Sequence, residues 1–357
     1  MKATIENNKL KISEELFDLS MTVDLRHSPV TELPENLKVN GSLYLSDTQI
    51  TQLPKHLKVL GDLDLSGSQI TTLPDGLHVG GYLNLRDSKI IELPEGLVVG
   101  EWLDLRRTAI TYLPKSLSVK TGIDLSGSQI MELPDNLTIE GYFDLSCTRL
   151  SRLPEGLTVK GGLYLNSTPI TELPKRLTVQ GDLDLSNTLI TKLPDGMTVK
   201  SGFFLKNLQM TNLPEFLSVG GGLYLNNTPI TELPKGLKVG GDLDLRGTKI
   251  TQLPEELIVH GYLNLSSTAI TCLPNSLKLH AGLYLNDSQI KILPDHLKVN
   301  GMLDLRNTNI ATLPNDLKVA GDLFLTGTSV TTIPAGALVK GRIELGAEQD
   351  ENSSLSM

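Results

Sequence analysis

The chain has 357 residues, 39% hydrophobic but only 4% aromatic, so its core must be filled with aliphatic side chains rather than rings. Its formal net charge of -9 lacks the surplus of Lys and Arg that nucleic acid or an anionic membrane surface requires, and no apolar run is long enough to span a bilayer. The two cysteines, Cys147 and Cys272, lie far apart and form neither a disulfide framework nor a zinc site.

Residues 1–30 read as an N-terminal cap followed by a half repeat. Met1 to Ser20 mixes Lys2, Glu6, Lys9, Lys11, Glu14 and Glu15 with isolated apolar residues, so no secretory signal peptide is expected there. Ser13 to Ser20 reads as an amphipathic cap, and Val23, Leu25, Ser28 and Val30 begin the repeat pattern.

Residues 31–345 follow a period of 20 residues. Leu-Pro recurs from Leu33 to Leu313 fifteen times without insertion or deletion, and Ile333-Pro334 adds a degenerate copy. Numbered from residues 31, 51, 71 and onward, the unit reads T-x-L-P-x-x-L-x-V-x-G-x-L-x-L-x-x-T-x-I. A fixed period of this length marks a solenoid, in which no unit folds alone. Leu at positions 13 and 15 alternates with variable residues, as in Gly241 to Arg246, which predicts a short strand over positions 12 to 16 with one buried face.

Successive units would set about sixteen such strands side by side in one parallel sheet. Apolar residues at positions 3, 7, 9 and 20 would complete the core, beginning with Leu33, Leu37, Val39 and Ile50. Pro at position 4 keeps the return side extended or at most one 3-10 turn. Thr or Ser at position 18, from Thr48 to Thr328, is expected to bond backbone groups of adjacent coils at a buried corner. Gly at position 11 implies a tight bend, kept for steric reasons. Residues 346–357, acidic and Ser-rich, read as a disordered tail.

The segment Leu243 to Pro254, L-x-L-x-x-T-x-I-T-x-L-P in form, resembles the strand and turn of leucine-rich repeats, with Thr or Ser where that family usually has Asn. The period, the Leu-Pro and the lack of a convex helix are most similar to the bacterial LPX class of type III secretion effectors, the YopM and IpaH proteins. V-x-G leads into the strand here, where that class usually has a Leu. The resemblance implies a concave sheet that binds host proteins, and delivery into a host cell. IpaH-type ubiquitin ligases add a C-terminal domain with a cysteine nucleophile. The array here runs to about a dozen residues before Met357, and Cys147 and Cys272 sit at variable repeat positions, so a non-enzymatic scaffold is expected. The alternative is a cytoplasmic or phage-associated structural repeat protein that is not secreted.

Positions 12, 14 and 16 would line the binding face. Tyr142, Tyr164, Phe204, Tyr224, Tyr262 and Tyr284 place aromatic rings there, either as protein-binding anchors or as copies of a duplicated block. Tyr82 and Trp102 on neighbouring coils are expected to stand side by side, with Arg86 and Arg106 paired beneath them; Trp102 is the only Trp. Asp62 with Asp64, Asp182 with Asp184 and Asp242 with Asp244 read as solvated acids rather than metal ligands or glycosidase carboxylates. Lys38, Lys58, Lys238, Lys278, Lys298 and Lys318 form a basic row at position 8. A break is expected within residues 201–220, where Leu208, Met210 and Phe203 replace consensus residues and Phe204 and Phe216 face solvent. The chain is expected to be a monomer that binds protein, with no cofactor, no metal and no catalytic residue.

Overall fold

The computed structural model describes residues 3–12, 18–19, 22–35 and 37–346. It contains two compact units, Met1–Leu189 and Ile190–Met357, each wound from the same kind of coil. The windings amount to about 16 turns of some 20 residues, with no helix among the described residues.

The first unit opens with a feature absent from the sequence reading. Strands β1 (Ala3–Glu6) and β2 (Lys9–Ile12) form an antiparallel hairpin. Asn7 and Asn8 both take left-handed angles, φ 50° and 63°, the two-residue turn that Asn favours. The hairpin docks on the first coil: the Leu10 N–H donates to the Glu32 carbonyl at 3.2 Å, and the Thr31 N–H donates to that of Asn8 at 2.8 Å. Leu10 is buried there and Lys9 pairs with Glu32 at 2.6 Å. Residues 13–17 and 20 of the expected amphipathic cap lie outside the described residues, as does the expected tail beyond residue 346.

Each coil then contributes a main strand at positions 13 and 14, such as Leu43–Tyr44. Neighbours pair in parallel at an offset of one period: Leu43 with Leu63 and Leu163 with Leu183 in the first unit, Phe203 with Leu223 and Leu323 with Ile343 in the second. From Leu43 to Leu325 the side chains at positions 13 and 15 are almost fully buried, as the alternation requires, whereas Leu25 in the first coil is half-buried and Leu345 in the last is exposed. The strand is shorter than positions 12 to 16 suggest, because the chain turns at once. Position 17 is left-handed in coil after coil, at φ 56° in Asp47, 65° in Gly67 and 58° in Asp87. A carboxylate or amide at position 14 accepts the N–H two residues on: Asp64 Oδ1 from Ser66 at 3.0 Å, Asn84 Oδ1 from Arg86 at 3.1 Å.

The hydroxyl at position 18 does not bridge coils as expected. Thr48 Oγ1 donates to the Leu45 carbonyl of its own coil at 2.7 Å, and Thr168 repeats this with Leu165 at 2.6 Å. The turn at position 17 folds position 18 back over the end of its own strand, so the nearest buried carbonyl is three residues upstream.

A second ladder was not anticipated. Positions 8 and 9 form another short strand, with Lys38 beside Lys58 and Val39 beside Val59 in register. Val at position 9 points into the core and position 8 points out. The glycines at position 11 serve close approach between coils. The Gly181 N–H donates to the Gly161 carbonyl at 2.9 Å, and a Cβ on Gly181 would lie 2.6 Å from the Gly161 carbonyl carbon.

The expected break within residues 201–220 does not occur. Phe203, Leu208 and Met210 are all fully buried, and the coil keeps the bonds of its neighbours, from the Phe203 N–H to the Gly222 carbonyl at 2.8 Å and from Asn207 to Asn226 at 2.9 Å. Leu208 gives up a hydroxyl hydrogen bond but fills the same corner with apolar volume, which offsets the loss.

Candidate protein-binding surface

In the first unit, Trp102, Tyr142 and Tyr164 form one run of rings on the exposed face of the main ladder. Trp102 and Tyr142 lie 5.0 Å apart between centroids, and Tyr142 and Tyr164 lie 4.9 Å apart. Trp102 reaches Tyr142 across the intervening coil because Gly122 occupies position 12 there. A Cβ on Gly122 would stand 2.7 Å from the indole Cζ3. Gly162 makes room in the same way for Tyr164, whose ring would lie 2.8 Å from an added Cβ. All three rings are only partly covered.

The expected pairs Tyr82 with Trp102 and Arg86 with Arg106 are not the contacts these residues make. The Tyr82 hydroxyl donates to Asp104 Oδ2 at 3.0 Å. Arg106 grips the same carboxylate, Nε donating to Oδ1 at 3.0 Å, and Nε also approaches Asp124 Oδ2 at 3.5 Å. Arg86 turns to Asp87 at 3.4 Å. Asp104 is fully buried, and a buried carboxylate must be paired, so it draws in both Tyr82 and Arg106. Burial and the nearby Asp104 raise the Tyr82 phenol well above its ordinary range, and the hydrogen bond to Asp104 holds the Arg106 guanidinium firmly charged. Burial also raises Tyr142, and burial with Asp182 pushes Tyr164 up to about 12. The Asp144 carboxyl is raised by burial and by the charges of Asp124 and Asp184, against hydrogen bonds from Ser146.

In the second unit, Phe204 and Tyr224 stack at 4.7 Å with planes 4° apart, and Lys206 Nζ lies 5.7 Å from each ring. Tyr262 meets Tyr284 edge to face at 5.7 Å. Tyr224 folds over Gly222 as Tyr164 does over Gly162. Aromatic residues at position 14 thus go with Gly at position 12 in these coils. The same pairing stands in the sequence at 162/164, 202/204, 222/224 and 282/284.

The paired aspartates are structural acceptors rather than idle surface acids. Asp62 Oδ1 accepts the Tyr82 N–H at 2.9 Å and Asp242 Oδ1 that of Tyr262 at 3.0 Å, each from the next coil, while their partners at position 14 cap their own turns. No group of three or more His, Cys, Asp or Glu is placed to hold a metal among the described residues. Cys147 and Cys272 are exposed free thiols on separate coils.

No family model and no curated protein matches the chain. Several solved structures do. YopM from Yersinia enterocolitica WA-314 shares 20% identity over 90% of this chain and 91% of its own, with a TM-score of 0.45. YopM from Yersinia pestis, described as a leucine-rich effector protein, shares 19% over 90% and 88%, with a TM-score of 0.48. A chain of the Toll–Spatzle complex from Drosophila shares 17% over 81% of this chain and 51% of that one, with a TM-score of 0.52. The period, the main ladder, the capped turns and this last likeness together make the chain a leucine-rich repeat solenoid.

Proposed function

We propose that this chain is a non-enzymatic scaffold that binds a protein partner on the exposed face of its main ladder, as a monomer, with the contact centred on Trp102, Tyr142 and Tyr164. The observation that carries this reading is the continuous run of three partly exposed rings on a hydrogen-bonded sheet. Large rigid rings give much contact area for little lost entropy, and they dominate binding hot spots. The Drosophila structure is a complex of Toll with Spatzle, so this fold does take a protein ligand there. The test compares proteins retained from host-cell extract by wild type, Trp102→Ala and Tyr112→Ala, the last an exposed ring at position 2. Partners kept by wild type and Tyr112→Ala but lost by Trp102→Ala are expected. Partners kept equally by all three would refute the site.

We further propose that the chain acts inside a host cell after delivery by a bacterial type III system. The support is the Leu-Pro repeat of 20 residues, which resembles the LPX effectors. A reporter fused to the first few tens of residues should be translocated by such a system. A reporter that stays in the bacterium would favour the cytoplasmic or phage-associated alternative.

A further inference from the structure

Arg at position 16 recurs with an acid at position 14 of its own coil and a ring at position 14 of the next. Arg26 donates to Asp24 Oδ2 at 2.6 Å while its guanidinium lies 5.3 Å from the Tyr44 centroid. Arg306 does the same with Asp304, at 2.6 Å, and with Phe324, at 5.3 Å. Each guanidinium is forked by a carboxylate and laid over a ring, so both of its preferred contacts are satisfied within the chain.

Asp144 and Tyr164 occupy the same two places, and their positions are opposed in the ladder register. Between them, at position 16, stands Ser146 instead of arginine. Ser146 donates its N–H to Asp144 Oδ1 at 2.8 Å, and no salt bridge reaches Asp144 among the described residues. Charge accumulates around it. Asp104, Asp124 and Asp144 face one another on three neighbouring strands, which brings like charges to the strand spacing of about 4.8 Å. Arg106, bonded to Asp104 and near Asp124, is spent on those two.

We propose that the face around Asp144 and Tyr164 receives an arginine side chain of the partner, its guanidinium forked by Asp144 and laid on the Tyr164 ring, so that the segment bound there is basic. This deepens the protein-binding reading and rests on it. The Tyr164 ring, with Tyr142 against it at 4.9 Å, favours a flat, weakly hydrated cation over a compact ammonium, which selects arginine above lysine. The charge complement is also favourable, since positions 12, 14 and 16 of the coils from 101 to 189 carry Asp104, Asp124, Asp144, Asp182 and Asp184 against the single Arg106.

Fluorescence anisotropy with a labelled ten-residue Gly-Arg repeat peptide tests this on the full chain, with citrulline and lysine versions as probes of charge and shape. The arginine peptide is expected to bind about tenfold more tightly than either. Asp144→Asn, which keeps an acceptor for the Ser146 N–H, should weaken it by a similar factor. Ser146→Arg should abolish binding by supplying the guanidinium from within, as Arg26 and Arg306 do. Asp75→Asn, the same charge change at an exposed turn elsewhere, should leave it unchanged. Far-ultraviolet circular dichroism confirms that each variant is folded. Equal binding of the citrulline or lysine peptide, lost in Trp102→Ala, would overturn the arginine assignment while the protein-binding face stands. Arginine-peptide binding that survives both Ser146→Arg and Trp102→Ala, or none at millimolar peptide, would also overturn it.

Discussion

Gly122 lies directly beneath the indole of Trp102, so close that a methyl group in place of its hydrogen would meet both that ring and the Tyr142 carbonyl oxygen, at 2.7 and 2.6 Å. The aromatic run therefore depends on an absent side chain two coils from its far end. Gly122→Ala is expected to displace Trp102 from Tyr142 and to cost about 1–3 kcal/mol through overpacking. Because Trp102 is the only Trp, its emission reports the change without a label. An unshifted emission maximum together with an unchanged unfolding midpoint would refute this packing.

Replacing Thr168 with Val keeps the shape of the corner but removes the hydroxyl that donates to the Leu165 carbonyl at 2.6 Å. That carbonyl still accepts the Thr168 N–H at 3.2 Å, so the loss should be about 1 kcal/mol rather than the full cost of an unpaired buried group. Denaturant titration measures it. Leu208→Thr restores the hydroxyl where the chain already lacks it, and should be much less harmful than a polar substitution at an ordinary core site.

Phe216 combines two unfavourable features, a left-handed backbone at φ 58° and a side chain 73% exposed. The same turn position is Gly76, Gly96, Gly156 and Gly196 in other coils, all with positive φ. Phe216→Gly should relieve roughly 1 kcal/mol of backbone strain and raise the melting temperature. A lower melting temperature would show that the ring contributes contacts that outweigh the strain.

The Asp144 carboxyl is raised in the fold, so the folded chain binds that proton more tightly than the unfolded chain does. This stabilises the fold at pH below the unfolded carboxylate value of about 3.9 and is lost as pH rises through the higher folded value. Asp144→Asn should therefore be more stable than wild type near neutrality, with the advantage vanishing in acid. Unfolding midpoints of the two proteins across that range check the sign, and an advantage that grew on acidification would contradict it.

The coil was legible because its signals repeat in place. From Leu43 to Leu325 the apolar residues at positions 13 and 15 are buried for the same reason, so one unit read correctly reads the others. Directions that depend on a neighbouring coil were not legible. Alternation places Trp102 on the exposed face, but only Gly122, twenty residues on, determines that its ring leans towards Tyr142 rather than Tyr82. Nothing in the repeat marks Asp104 as buried, because the groups that pair with it, Tyr82 and Arg106, stand on a neighbouring coil and two residues on. Position 17 looked merely variable, yet Gly67, Asp87, Gly127, Asn187 and Asn227 are residue types that tolerate left-handed angles. The Asn7-Asn8 pair was a turn signal of the same kind.

Every pairing in the main ladder joins residues one full period apart, and this constrains how such a gene can change length. Within a unit, duplicating or deleting twenty residues returns Leu to Leu and Asp to its cap, so each bond finds an equivalent partner. Removing one residue fewer would leave a junction out of step by one, where position 14 of one coil is brought to the inward place of position 13 and an aspartate is set against the aliphatic core. Viable lengths are therefore quantised in steps of twenty, and the spacing from Leu33 to Leu313 keeps that step without a break.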